Sequence, residues 1–124
     1  MHRSSRFAVF GVGRYGQQIA LALSAKGAEV IAFDCDGTKT ERLKDEIALA
    51  VTLDSTDKRA LQSQKVHDMD AAVVAIGENF EATVLTALNL LDLGVPRVIV
   101  RANDDNQQRI LTSLGVTEIL SPES

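Results

Sequence analysis

Three glycines at G-x-G-x-x-G spacing, Gly11-Val12-Gly13-Arg14-Tyr15-Gly16, directly follow an apolar run and open a segment of helical period. In that setting each glycine has its own task. Gly11 permits a tight turn, Gly13 lets backbone approach a pyrophosphate, and Gly16 lets the helix lie close to the strand. The free N–H groups and positive dipole of the helix start then hold phosphate. A glycine-rich turn with no ligand is the competing reading. Asp34 ends the second apolar run, where a carboxylate accepts hydrogen bonds from both ribose hydroxyls or merely caps a turn. Its charge repels a 2′-phosphate, which disfavours NADP.

Other polar residues gather at the ends of the apolar runs. Asp36 is either a second ribose ligand or the cap of the next helix. Cys35, between two carboxylates that disfavour its thiolate, is expected to pack rather than to do redox chemistry. Asp54 and Ser55 fall where an adenine edge would lie, with Asp54 accepting from the exocyclic amine or capping the following helix. Ala75, Ile76 and Gly77 close the fourth run; Gly77 allows close ligand approach, and Asn79 either meets the ligand or caps a helix. Arg14 is unusual inside a phosphate loop. It pairs with a phosphate beyond the loop or on a neighbouring subunit, or is a solvated surface arginine. Arg101 and Asn103 follow the fifth run and point to the same edge, or are ordinary loop polarity.

Alternating elements are needed to bring these residues together. Apolar runs at 7–10, 29–33, 48–53, 71–76, 97–100 and 118–120 predict strands. Helical periodicity predicts helices over 15–26, 38–45, 57–64, 81–93 and 104–114, with Gly27, Gly94 and Gly115 as stops and Pro96 and Pro122 as breakers. In the helices, Tyr15, Ile19, Ala22 and Leu23, then Val84, Leu85, Leu88 and Leu91, then Ile110, Leu111 and Leu114, form the expected core stripes. Continuous apolar strands imply burial on both faces, so the fold class is α/β: a Rossmann-like, doubly wound parallel six-stranded sheet of order 3-2-1-4-5-6, helices on both faces. A ligand crevice then opens between strands 1 and 4.

Composition narrows the chemistry. The chain has 124 residues, enough for one domain with a core, and 13 Lys and Arg against 17 Asp and Glu give a net charge of −4. Scattered basic residues and an acidic balance exclude a nucleic-acid partner. One cysteine and two distant histidines, His2 and His67, exclude a four-ligand zinc site. No apolar stretch approaches the ~20 residues of a membrane span, and the first residues lack a secretory core, so a cytoplasmic location without membrane insertion is expected. A dehydrogenase would need an acid or base beside the nicotinamide, and no His, Tyr or Lys ends a strand on that side. Catalysis is not expected.

The motifs together resemble a known family. FAVFGVGRYG at Phe7 to Gly16 is similar to the opening of the RCK (KTN, TrkA-N) domains that regulate potassium channels and transporters. AFDCD at Ala32, LDSTD at Leu53, the stretch Val73 to Val95, RVIVRANDDNQQRIL at Arg97 and LGVTEILSPE at Leu114 extend the resemblance along nearly the whole chain. It looks most similar to the N-lobe of Ktr-type regulatory subunits. The resemblance implies a phosphate loop at Gly11, Gly13, Arg14 and Gly16, a ribose acid at Asp34, and adenine contacts near Asp54 and Ser55. Ser55 replaces the alanine usual in relatives. It implies ATP or ADP as in Ktr-type members, with NAD or NADH, as in Trk-type ones, the alternative. Arg14 fits a terminal phosphate near a dimer interface, and Glu123 matches a carboxylate that helps hold a cation there. The implied partners are a membrane-embedded K⁺ transporter or channel subunit and further copies of the chain, as a dimer or ring. The family usually continues into a crossover helix and C-terminal lobe, so the 124 residues are expected to be a single excised N-lobe.

Overall fold

The computed structural model describes residues 4–121. Six strands, β1 (Arg6–Phe10), β2 (Glu29–Asp34), β3 (Leu49–Thr52), β4 (Ala71–Val74), β5 (Val98–Arg101) and β6 (Glu118–Leu120), form one sheet of order β3-β2-β1-β4-β5-β6. Every pairing is parallel. The helices are α1 (Arg14–Ala25), α2 (Gly37–Leu43), α3 (Lys58–Ser63), α4 (Phe80–Asp92) and α5 (Asp105–Leu114). The expected fold class is therefore the observed one. The sequence pattern did not reveal a single 3₁₀ turn at Val66–Asp68, entered through Lys65 at φ +56°. Three residues are too few to show a period.

Order and handedness together explain the two layers. The chain moves outward from β1 to β3, returns to the centre for β4, and then moves outward the other way. Right-handed crossovers in opposite directions put their helices on opposite faces. One face buries Val9, Ala20, Val30, Ala32, Leu43, Val73 and Ile99 under α1 and α2. The other buries Phe10, Phe33, Leu61, Val74, Leu90, Val98 and Leu111 under α3, α4 and α5. Phe10 and Phe33, register partners on β1 and β2, stack with centroids 4.8 Å apart. β4 is apolar and buried along its whole length, and β1, β2 and β5 are buried over most of their apolar residues. The edge strands β3 and β6 are half-exposed.

The expected helix stripes hold in part: Leu111 is buried, and Ile19, Leu23, Leu91 and Leu114 pack against the core. α1 buries Gly16 and Ala20, and α4 buries Thr83, Thr86, Ala87 and Leu90. Leu85 and Ile110, expected in the core, are 40% and 46% exposed. Small residues and hydrogen-bonded threonines occupy the line of closest approach, so the larger apolar side chains flank it instead. The Thr83 hydroxyl donates to the Asn79 carbonyl at 3.2 Å, and the Thr86 and Ser55 hydroxyls lie 2.6 Å apart. Those contacts satisfy polar atoms that burial would otherwise penalise.

Leu90 is fully buried at the centre of the α4 contact, whereas Leu49 on edge strand β3 is 48% exposed. Leu90→Ala should lower unfolding free energy by about 3 kcal/mol in urea titration, and Leu49→Ala by less than about 1 kcal/mol. Equal losses would contradict the placement of α4.

Candidate functional site

The site lies at the carboxyl edge, where the strand order reverses between β1 and β4. Gly11 leaves β1 at φ +90°, and a Cβ there would stand 2.8 Å from the Ala75 carbonyl oxygen. Only glycine fits both constraints. A Cβ on Gly16 would overlap the Gly11 carbonyl oxygen. Gly16 thus packs α1 against the loop itself, with Ala75 beyond it. Gly13 faces open space, with nothing within 4 Å of the position a Cβ would take.

Capping separates α1 from the other α-helices. Asp36, Asp57, Asn79 and Asp104 each accept a backbone N–H at the starts of α2, α3, α4 and α5. α1 has Gly13 at this place, no side-chain cap and no acid in its first turn. The first backbone bond into α1 is Gln17 N–H to the Gly13 carbonyl at 2.9 Å. The N–H groups of Gly13, Arg14, Tyr15 and Gly16 remain as donors without acceptors among the described residues.

Asp34 joins the loop to β2. Its carboxylate accepts the Val12 N–H at 2.8 Å and the Asp36 N–H at 2.8 Å, one on each oxygen. Each oxygen keeps a second lone pair for another donor. The observed Asp34 therefore holds the phosphate loop in place as well as standing where a ribose acid would.

A cavity of about 590 Å³ opens over this edge. Of the residues expected at a site, it is lined by Gly11, Gly13, Arg14, Tyr15, Asp34, Cys35, Asp54, Ser55, Ala75, Ile76, Gly77, Asn79 and Arg101. Val12, Gly16 and Asp36 do not line it. Val12 and Gly16 are buried beneath the loop, and Asp36 is turned to the start of α2, whose Thr38 N–H it accepts at 2.9 Å. Its role is the cap. Asn79 also caps, accepting from the Ala82 N–H at 3.0 Å, while bordering the cavity. Ser55 is less available than expected: its hydroxyl is paired with Thr86 and its carbonyl accepts from Asn89. Cys35 is exposed rather than packed, because it lies one residue beyond β2. Asn103 donates to the Gly77 carbonyl at 2.9 Å, tying the loops after β5 and β4 together. Glu123 lies outside the described residues.

Lys39, Phe33, Thr56 and Glu78 also line the cavity and were not singled out from the sequence. Lys39 follows from its place in the first turn of α2, but a lone lysine carries no spacing signal. The three basic side chains at the cavity, Arg14, Lys39 and Arg101, form no salt bridge with a described residue. At the opposite edge, Arg6 pairs with Glu29 and Arg97 with Glu118 across neighbouring strands. The cavity joins free N–H donors and unpaired cations to a carboxylate, the arrangement of a nucleotide-binding lobe of Rossmann type.

That class contains the family to which the chain belongs. The TrkA-N domain family matches residues 7–122, and the chain is a member of it. The chain is 41% identical over 117 residues to the Ktr system potassium uptake protein C of Bacillus subtilis (strain 168), covering 94% of this chain and 53% of that protein. It spans about half the length of the curated relatives it matches. Its fold is shared by the NAD(P)-binding domain of an exopolyphosphatase-related protein from Archaeoglobus fulgidus, with TM-score 0.84, 24% identity, and coverage of 97% of this chain and 89% of that one. The GsuK channel, solved bound to NAD and bound to ADP, shares it with TM-score 0.80 and 12% identity in both forms, covering 95% and 96% of this chain and 21% and 31% of the GsuK chain.

Two turn acids, Asp36 at the start of α2 and Asp54 at the cavity, are held below the ordinary carboxyl value of 3.8. Thr38 hydroxyl and backbone donors lower Asp36, and Thr56 donors lower Asp54 in the same way. Their ionised forms therefore favour folding above the usual carboxyl range, and that contribution is lost as pH falls through the lowered values. Thermal midpoints should be flat from roughly pH 8 to 5 and fall below roughly pH 4. The Asp36→Asn, Asp54→Asn double variant should show a shallower acid slope; an unchanged slope would mean these turns contribute nothing.

Proposed function

We propose that this chain is the nucleotide-sensing lobe of a regulatory protein that gates a membrane-embedded K⁺ transporter or channel subunit. The uncapped start of α1, opening into a cavity with Asp34 on one side and unpaired arginines on the other, carries the reading. Its donors suit phosphate, and its acid suits a ribose without a 2′-phosphate. ATP or ADP is the first choice of ligand, because Arg14, Lys39 and Arg101 place more positive charge at the cavity than a pyrophosphate bridge requires. NAD or NADH is the alternative. The Ktr relative supports potassium uptake as the process, and GsuK supports a fold that accepts either ligand class.

The module works without chemistry. The one hydroxyl at the cavity bonded to a carboxylate, Thr56, donates to Asp54 at 2.6 Å to close a turn, and Tyr15 and Cys35 have no hydrogen-bonded base among the described residues. A ligand with different affinity for two arrangements of assembled lobes shifts their populations, and the partner follows. Leu85 and Ile110, exposed on the outer faces of α4 and α5, support self-association of such lobes. No helix among the described residues is long and apolar enough to cross a membrane. This supports a cytoplasmic lobe, peripheral to its partner.

Calorimetry with ATP, ADP, AMP and NADH tests the reading. ATP or ADP should bind most tightly, and Gly13→Asp should weaken either at least tenfold, because it puts a carboxylate where phosphate sits without touching another residue. Tightest binding of NADH, with ATP undetected, would replace the ligand and keep the sensor. No binding of any of the four, or steady NADH oxidation with a carbonyl substrate, would overturn the reading.

A further inference from the structure

Arg101 combines, among the described residues, an aromatic ring contact with a buried nitrogen that has no partner. Its guanidinium carbon lies 3.9 Å from the centroid of the Tyr15 ring. Its Nε is buried and has no hydrogen-bond partner among the described residues, and no carboxylate pairs with it. A desolvated N–H without an acceptor costs free energy, so a stacked arginine in this state favours an incoming anion that supplies the missing oxygen. Tyr15 is the second residue of α1. The stack therefore holds the cation against the first turn of α1 from the β5 side.

Topology places this cation at the far end of the cavity from the ribose acid. Asp34 ends β2 and Arg101 ends β5, with β1 and β4 between them. Three strand spacings put about 14 Å between those two ends. A nucleotide with its ribose at Asp34 and its first phosphate at the start of α1 reaches β5 only through its outer phosphates. Other charges also face the cavity. Lys39 and Asp54 come from the Asp34 side, Arg14 from the loop, and Glu78 follows β4. Of these, only Arg101 comes from beyond the switch point and carries a planar fork able to hold two phosphate oxygens.

We propose that Arg101, held over Tyr15, reads the length of the phosphate chain. It is a specificity residue that leaves the ring to pair with an outer phosphate and ignores a nucleotide lacking one. This inference rests on the nucleotide reading given above and names the side chain through which that site distinguishes its ligands. The stack also provides its own reporter, since Tyr15 is the single tyrosine and the chain has no tryptophan.

Titration of the chain with ATP, ADP and AMP, followed by calorimetry and by tyrosine emission excited on the red edge to avoid nucleotide absorption, tests this directly. ATP should change Tyr15 emission in step with binding, and AMP should bind with little change. Arg101→Gln should weaken ATP at least tenfold while leaving AMP within about twofold, the retained AMP affinity showing that the variant is folded. Arg101→Lys, which keeps charge without the fork, should lose ATP affinity by an intermediate factor. Equal losses for ATP and AMP in both variants, or equal emission changes with both nucleotides in the unmodified chain, would overturn the proposal while sparing the nucleotide reading. An unmodified chain that binds none of the three would overturn both.

Discussion

Between the end of β1 and the start of α1 the backbone passes so close to Ala75 that no side chain fits at Gly11, and so close to itself that none fits at Gly16. Close passage fixes where α1 begins, and with it the direction in which four unpaired N–H groups point. It also brings Val12 within reach of Asp34, whose carboxylate holds the loop from the β2 side. The glycine loop and the Asp34 carboxylate, the proposed seats of phosphate and ribose, are thus one hydrogen-bonded unit. A ligand that loads the acid also loads the loop, so the two ends of the site respond together.

Much of this was legible because the relevant signals are local. A glycine needed for positive φ, a cap two or three residues from its N–H, and an apolar run ending in an acid all act over a few residues. Asp57 and Asp104 announce their helices in this way. The faces of α4 and α5 were less legible. Apolar spacing points correctly to Leu111 but also to Leu85 and Ile110, whereas packing against the sheet selects Thr83, Thr86 and Ala87 and leaves those two exposed. Periodicity reports the apolar stripe, but the distance of closest approach depends on side-chain size across the interface, which a single chain does not encode locally. The hydroxyl bond of Ser55 is illegible for a related reason. Its partner Thr86 lies 31 residues away in sequence, and nothing near Ser55 shows that its hydroxyl is already used.

Charge is divided between the two edges of the sheet. At the amino edge, arginines meet glutamates on adjacent strands and add little beyond register. At the carboxyl edge, the acids bind backbone N–H groups in loops and caps and leave the nearby arginines unpaired. An acidic chain can in this way keep three basic side chains unpaired at one edge, beside carboxylates already held by backbone donors. Net charge speaks to the bulk surface, whereas at the cavity it is the pairing of Asp34 and Asp54 with backbone donors that leaves the basic side chains free.

Ser55 has a mechanical consequence. Its hydroxyl meets Thr86 and its carbonyl accepts from Asn89, so the turn beyond β3 is bolted at two points to the middle of α4. Leu85, adjacent to Thr86 in sequence, faces outward from that same turn of helix. A displacement of the Asp54–Ser55 corner therefore either breaks both bolts or rotates α4 as a rigid lever. The corner's travel would then be delivered, turned through the thickness of the helix, to Leu85 on its far side.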